Sequence, residues 1–456
     1  MTKLISTNPA DGSRIGSVTV STRNEIEKKV NEARKAAPEW AALGVKKRTA
    51  LLRKMLAKLE SKKDDIAEIG TREMGTPLAL MKANVADSLN YLAWYFDNAE
   101  KYLGPDTTYE DAHVIHQVFR EPLGVAAAIA PWNWPFANFV WSVGQNLAVG
   151  NTVVFKHSEE TPLSGKIVED IVCDVLPKGV FSEVYGGGDV GATLVDQNID
   201  LINFTGSSKT GKKLYQKAAQ KMIRIVMELG GSDPGIVFKD ADLDSAIGQI
   251  EFARNVNCGQ RCAALKRLIV DETIFDTVVS QLAARFNKIR IGDPMNPKTE
   301  MGPLVAMRQQ KLLKTQVADA VKKGAQVVTG GNVPKGLTGS FFEPTILVGV
   351  NATMRVWNEE IFGPVLSVVP FRTEEEAIWL ANDTEYGLGA YLYTGSKKRA
   401  KRVVPQIHAG MVSVNGVDYN RPCNPFGGYK QSGIGREHGG FGFHDLTQVK
   451  IVATEK

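Results

Sequence analysis

Cysteine is scarce in this chain, with 4 in 456 residues, and no Cys-x-x-Cys pair occurs. That excludes a disulfide framework. Cys258 and Cys262 lie close together, but no neighbouring histidine completes a zinc-ligand set, so no metal is expected. Such usage fits a reducing compartment, and a cytoplasmic location is expected. The first residues lack the apolar core of a signal peptide. Long apolar runs are missing as well. The most apolar stretch, Val125 to Phe155, is interrupted by Pro131, Asn133, Pro135, Asn138, Gln145 and Asn146, which predicts buried strands and helix and no membrane span. A strong charge of one sign is also absent: the formal net charge is +5, and no dense Lys/Arg stripe appears. Lys46-Lys47-Arg48 and Lys397-Lys398-Arg399 read as solvated faces, and nucleic acid is not an expected partner.

What remains is enough chain for two or three domains with ample core. Thr22 with Glu25 forms a capping box ahead of a helix carrying Ile26, Val30 and Ala33 on one face. A second amphipathic helix carries Leu52, Met55, Leu56 and Leu59. From Val125 onward, short β-rich runs alternate with helical ones. The runs are Val125–Ala130, Thr152–Phe155, Leu201–Phe204, Ile223–Glu228 and Gly235–Phe238, then Arg267–Val270, Ala325–Val328, Thr345–Val350, Val365–Phe371 and Met411–Val414. This alternation predicts an α/β fold with parallel sheets, in two successive units that meet near Gly230-Gly231.

Five segments carry candidate chemistry. Gly186-Gly187-Gly188-Asp189-Val190-Gly191 matches G-x-G-x-x-G, a dinucleotide fingerprint, but glycine-rich strand-to-helix turns are common. Phe204–Gly211 joins a strand to a helix; its backbone N–H groups and Ser207 suit a phosphate, and a plain serine-capped turn is the alternative. Cys262, in Gly-Gln-Arg-Cys, sits between a helix and a strand, where a thiolate can be offered to a cleft; the alternative is a small buried hydrophobe. Cys173 lies in an apolar helical run and reads as core, and Cys423 lies in a Pro-rich loop. Glu228 ends an apolar strand and is either a base or an ion-pair partner. Asn133 lies between two prolines, as an oxyanion donor or a turn asparagine.

In combination and order, these segments resemble the aldehyde dehydrogenase superfamily. The matching runs are Pro-Trp-Asn-Trp-Pro-Phe (from Pro131), Phe-Thr-Gly-Ser, Glu-Leu-Gly-Gly, Gly-Gln-Arg-Cys, Glu-Glu-Ile-Phe-Gly-Pro-Val and Pro-Phe-Gly-Gly-Tyr-Lys-Gln-Ser-Gly (to Gly433). The resemblance implies an aldehyde dehydrogenase-like α/β fold with two Rossmann-like parallel-sheet domains and a small β oligomerisation segment. Residues 1–230 would form the cofactor domain, interrupted near 106–120 by an oligomerisation excursion. Residues 231–426 would form the catalytic domain. Residues 427–456 would form a return segment and a C-terminal strand. A homodimer or homotetramer is implied.

The resemblance also implies roles. Cys262 would attack the aldehyde carbon, with Asn133 and the Cys262 N–H holding the oxyanion. Hydride would pass to NAD, leaving a thioester that Glu228 hydrolyses, so the product is a free acid. Trp132, Gly206, Ser207, Glu360 and Phe362 would contact the cofactor, and Gly186–Gly191 would be a neighbouring turn instead of the true fingerprint. Lys156 and Glu159 would face the adenosine ribose. The Glu159 carboxylate would repel a 2′-phosphate and favour NAD, while Lys156 leaves NADP open.

The expected substrate is a small acidic aldehyde such as succinate semialdehyde. Arg261 and Arg421 would bind its distal anion, and Trp134 and Tyr419 would line the tunnel. The alternatives are an Arg261 turned away, a solvated Arg421, and an apolar aliphatic or aromatic aldehyde. Ser232-Asp233 is a departure: lysine or asparagine is more usual after Glu-Leu-Gly-Gly. A non-catalytic scaffold relative would have lost Cys262, Glu228 or Asn133, and all three are present. An unrelated thiol hydrolase needs a histidine partner, and none of His113, His116, His157, His408, His438 and His444 stands in a recognisable motif.

Overall fold

A computed structural model describes residues 2–456. Two sheets organise the chain. The first has six strands in the order Gly433–Ile434, Arg224–Glu228, Leu201–Thr205, Val125–Ile129, Thr152–Lys156 and Phe181–Glu183. All pair in parallel except the returning Gly433–Ile434, which runs antiparallel to Arg224–Glu228. The second has seven strands, in the order Gln326–Thr329, Thr345–Val348, Val365–Phe371, Leu265–Asp271, Asp233–Val237, Gly389–Tyr393 and Met411–Val414. Only the Gln326–Thr329 edge pairs antiparallel.

The inner strands are buried on both faces, as β-rich runs without alternation require. The α/β expectation therefore holds. Gly389–Tyr393, which the sequence reading passes over, is a fully buried central strand. Thr22 makes the predicted capping box with Glu25. The apolar stretch after Val125 resolves into a strand, the buried helix Pro135–Val149 and a second strand. No helix among the described residues is long and apolar enough to cross a membrane.

The first sheet reverses its strand order between Val125–Ile129 and Leu201–Thr205, and a crevice opens beyond their carboxyl ends at such a switch point. Ala130–Trp134 and Gly206–Ser207 leave the sheet there. The second sheet faces the same cleft with its strand beginnings: Cys262 precedes Leu265–Asp271, and Glu360 precedes Val365–Phe371. A third sheet stands apart, with Val114–Pro122 between Asp106–Glu110 and Thr447–Glu455, all antiparallel.

Two local readings need correction. Arg48 is not on a solvated face: it is 4% exposed. Its guanidinium donates to the Ala41 carbonyl at 2.8 Å, to Ala148 at 3.3 Å and to Val149 at 3.2 Å. Two helices, Arg23–Ala42 and Pro135–Val149, end there with unpaired carbonyls, and a planar five-donor group satisfies both ends at once. Cys173 is exposed, not core, because it is the last residue of its helix and the apolar face turns inward before it.

Replacing Arg48 with Met leaves those buried carbonyls without donors. Unfolding stability should fall by about 3 kcal/mol, read from urea denaturation midpoints at unchanged slope.

Candidate active site

The cleft between the sheets has a volume of about 760 Å³. Asn133, Glu228 and Cys262 all line it, together with Trp132, Lys156, Glu159, Gly206, Ser207, Glu360, Phe362, Arg261 and Trp134. No histidine lines it, so the thiol-hydrolase arrangement finds no partner base.

Cys262 is set by a strained turn. A 3-10 turn over Val256–Gly259 places Asn257 and Cys258 in the left-handed region, at φ 56° and 55°. Side chains hold that conformation. Thr76 Oγ1 donates to Asn257 Oδ1 at 2.6 Å, and Asn257 Nδ2 donates to the Asn133 carbonyl at 2.8 Å. The Gln260 amide donates to Asn257 O and accepts from the Val305 N–H. Arg254 Nη2 donates to Gly259 O at 2.8 Å, to Ile361 O and to Gly363 O. Of the two neighbouring cysteines, Cys258 is sealed in the core and Cys262 reaches the cleft. Burial pushes the Cys262 thiol up to about 12, opposed first by Lys266 and then by Arg261.

Asn133 stands across the same turn. Its Nδ2 donates one hydrogen to Gln260 O at 3.1 Å, and its Oδ1 accepts from Asn138 Nδ2 at 3.2 Å. An amide nitrogen carries two hydrogens, so one donor remains for the cleft.

Glu228 closes the strand Arg224–Glu228. It is 3% exposed, and neither carboxylate oxygen has a hydrogen-bond partner. Gly427, at φ 155°, makes room for it: a Cβ there would come 2.8 Å from Glu228 Oε1. Burial and then the neighbouring Glu437 hold the Glu228 carboxyl well above the usual range, partly offset by Arg436. Glu437 also lines the cleft, and burial raises it to about 7. The sequence reading missed it. Its one local signal is a charged residue, Arg436-Glu437-His438, set against the Gly439-Gly440 pair. The pairing of Gly433 with Glu228 and of Phe426 with Glu437 brings it beside Glu228.

The cleft extends from Cys262 toward the first sheet. Trp132 meets Phe362 edge to face, with centroids 5.3 Å apart. Glu360 accepts from the Gly231 N–H at 3.0 Å. The helix Ser208–Lys221 begins at the Gly206–Ser207 turn, and the opening N–H groups of a helix have no intrahelical acceptor. Ser207 itself caps that helix: its Oγ accepts from the Thr210 N–H and donates to Thr210 Oγ1. The hydroxyl proton expected for a phosphate is thus already engaged. At the far end, buried Lys156 lies 3.7 Å from Glu159 Oε2, and Gly188 of the literal glycine motif lines the wall beside them. A channel with a helix start midway, two glycines for close approach and carboxylates at Glu159 and Glu360 fits an extended dinucleotide.

In the other direction the wall is Trp134, Tyr91, Trp141, Phe426, Asn420 and Asp87. Arg261 also lines the cleft, and among the described residues no carboxylate pairs with it. Tyr419 and Arg421 do not line the cleft. The Tyr419 hydroxyl is 3.0 Å from that of Tyr391, which in turn donates to Ala263 O, so Tyr419 braces the nucleophile segment from behind. Arg421 is exposed and pairs with Asp418.

A family model described as the aldehyde dehydrogenase family matches residues 2–452. A glutarate-semialdehyde dehydrogenase of Pseudomonas aeruginosa is 39% identical, over 98% of this chain and 92% of its own length. A succinate-semialdehyde dehydrogenase (NADP+) of Escherichia coli is 36% identical, over 98% and 93%. The crystal structure of a betaine aldehyde dehydrogenase of Staphylococcus aureus with NAD+ superposes with a TM-score of 0.96 at 32% identity, covering 99% of this chain and 91% of that one. Likeness of that extent takes in all three sheets, and the chain belongs to the aldehyde dehydrogenase family.

Proposed function

We propose that the protein oxidises a small aldehyde bearing a distal carboxylate to the free dicarboxylic acid, with Cys262 as nucleophile and Glu228 as the base for hydrolysis. The observation that carries this reading is Glu228: a buried carboxylate with both oxygens unpartnered, on the same cleft as the cysteine. A structural ion pair would have satisfied those oxygens.

The Cys262 thiolate adds to the aldehyde carbon. The oxyanion is held by the free Asn133 hydrogen and the Cys262 N–H. NAD, when bound, supplies the hydride acceptor. Glu360 would hold its nicotinamide ribose, Trp132 and Phe362 would flank the ring, the Gly206–Ser207 turn would take the pyrophosphate, and Lys156 with Glu159 would take the adenosine ribose. Glu228, ionised, takes a proton from water as the water oxygen attacks the thioester, and the Cys262 thiolate leaves. Glu159 repels a 2′-phosphate and favours NAD over NADP.

Arg261 supports an acidic substrate, since its guanidinium lines the cleft next to Cys262 in sequence and no carboxylate among the described residues pairs with it. The names of the semialdehyde relatives agree. A second reading has its own observation. Asp87 with Trp134, Trp141 and Tyr91 makes an acidic, aromatic wall that suits a quaternary ammonium aldehyde or a neutral aromatic one. The third sheet supports a homo-oligomer: its edge strand Thr447–Glu455 exposes Val449 at 73% and Ile451 at 64%, an unpaired and partly apolar edge.

Glu228→Gln should release one equivalent of reduced cofactor per site and then slow by at least about 100-fold, with the acyl-enzyme visible by intact mass; unaltered steady-state turnover would sink the assignment. In the wild type, deacylation should rise with pH through a range above ordinary carboxylates, because Glu228 acts only when ionised. Glu437→Gln removes the neighbouring charge, so that inflection should move to lower pH, measured by stopped-flow deacylation.

An aldehyde panel run with NAD and NADP decides the substrate. Arg261→Ala should raise KM for succinate or glutarate semialdehyde about tenfold and leave a neutral aldehyde unaffected. Faster turnover of betaine aldehyde would favour the second reading, and a strong NADP preference would refute the role given to Glu159. Sedimentation velocity should report a dimer or tetramer, and Ile451→Glu should shift it toward smaller species.

A further inference from the structure

Beneath the nucleophile lies a charged cluster of which the reaction above uses only Glu360. Lys266 begins in the strand Leu265–Asp271 and is 1% exposed. Its Nζ donates to the carbonyl oxygen of Cys262 itself at 2.5 Å. Glu360 Oε1 lies 3.5 Å from the same nitrogen. Asp233, 1% exposed, faces it from the neighbouring strand, and neither Asp233 oxygen makes a hydrogen bond of good geometry. The backbone is tight around this group: a Cβ on Gly231 would meet Asp233 Oδ1 at 2.8 Å and Cys262 O at 2.9 Å.

An ammonium in so dry a place costs several kcal/mol unless something repays it. Two carboxylates and a carbonyl do so here. The neighbouring Ser232-Asp233 departure from the usual family sequence now has a physical partner. A proton on Lys266 needs a counter-charge, and Asp233 supplies one that stays in place when Glu360 turns to a cofactor ribose.

We propose that Lys266 is a positioning residue for the nucleophile: clamped on the Cys262 carbonyl and kept charged by Asp233, it fixes the thiol-bearing residue and favours its thiolate. The proposal rests on the reading of Cys262 as nucleophile. Four charged groups bear on that thiol: Lys266, Glu228, Glu360 and Arg261. The two carboxylates disfavour the thiolate. Arg261 is partly open to the cleft, where water screens it. Arg254 faces Lys266 but spends its donors on backbone carbonyls. Lys266 is therefore the cation beside Cys262 that is shut away from water. Its ammonium bonds the backbone of the cysteine itself.

The test is iodoacetamide alkylation of the cofactor-free protein across pH, with the modified peptide mapped by mass spectrometry. Lys266→Met should move the Cys262 inflection up by about one unit, a tenfold slower rate on its acid side. Lys266→Gln keeps a donor for the carbonyl without the charge and should behave the same way. Lys266→Arg should restore the rate to within a factor of about three, since the charge is what matters. Wild-type alkylation profiles in folded Lys266→Met and Lys266→Gln, with unchanged melting, would overturn the proposal. Failure of the nucleophile reading itself would show separately, as turnover surviving in Cys262→Ala.

Discussion

The guanidinium of Arg254 is the contact on which the site's geometry depends. It is fully buried and has no carboxylate at bonding distance; instead it bonds carbonyls from Gly259, Leu265, Ile361 and Gly363. Those carbonyls come from three stretches of chain: the nucleophile turn, the strand after it, and the segment that presents Glu360 and Phe362. One rigid planar donor set thus locks the left-handed pair Asn257-Cys258 and the cofactor-side glutamate into one frame. Neither could hold its place alone, since a cysteine in the left-handed region is strained and a lone loop would relax it.

Around that frame, basic and acidic groups are treated in opposite ways. Buried Arg48, Arg254 and Arg267 each donate to several backbone carbonyls and serve the architecture. Buried Glu228, Glu437 and Asp233 keep unpartnered oxygens and surround the cleft or the nucleophile. A buried unpaired carboxylate opposes folding, so the neighbours Glu228 and Glu437 mark a place where stability is given up. The glycines serve the same end. Gly427 and Gly231 bring backbone against Glu228 and Asp233 where any side chain would collide.

The opposed sheets explain why the chain can assemble such a site at all. The first sheet offers the carboxyl ends of its strands at a switch point, carrying Glu228 and the Gly206–Ser207 turn. The second offers strand beginnings, carrying Cys262 and Glu360. The turn at Gly206–Ser207 before the helix start at Ser208 then lines the same cleft as Glu159 and Glu360.

Most of the architecture was legible from sequence, because period and turn chemistry are local. Buried parallel strands read as unbroken apolar runs, and the Thr22–Glu25 cap is a four-residue signal. The trio Asn133, Glu228 and Cys262 was legible from motif order, and one cleft receives all three. The failures share a cause. Arg48 looked like surface in a basic cluster, yet its partners are the ends of two helices, one of them about a hundred residues away in sequence. Tyr419 and Arg421 sit in the expected loop, but loop direction is set by packing against Tyr391 and Asp418. Glu437 and Lys266 carry no motif, and their importance arises only from what stands opposite them. By itself the sequence determined the element types, the family and the candidate site residues, since each follows from short-range pattern. The tertiary structure alone decided which carboxylates go unpaired and which cation lies under Cys262. Burial and charge proximity are properties of the folded arrangement, and no local stretch of chain contains them.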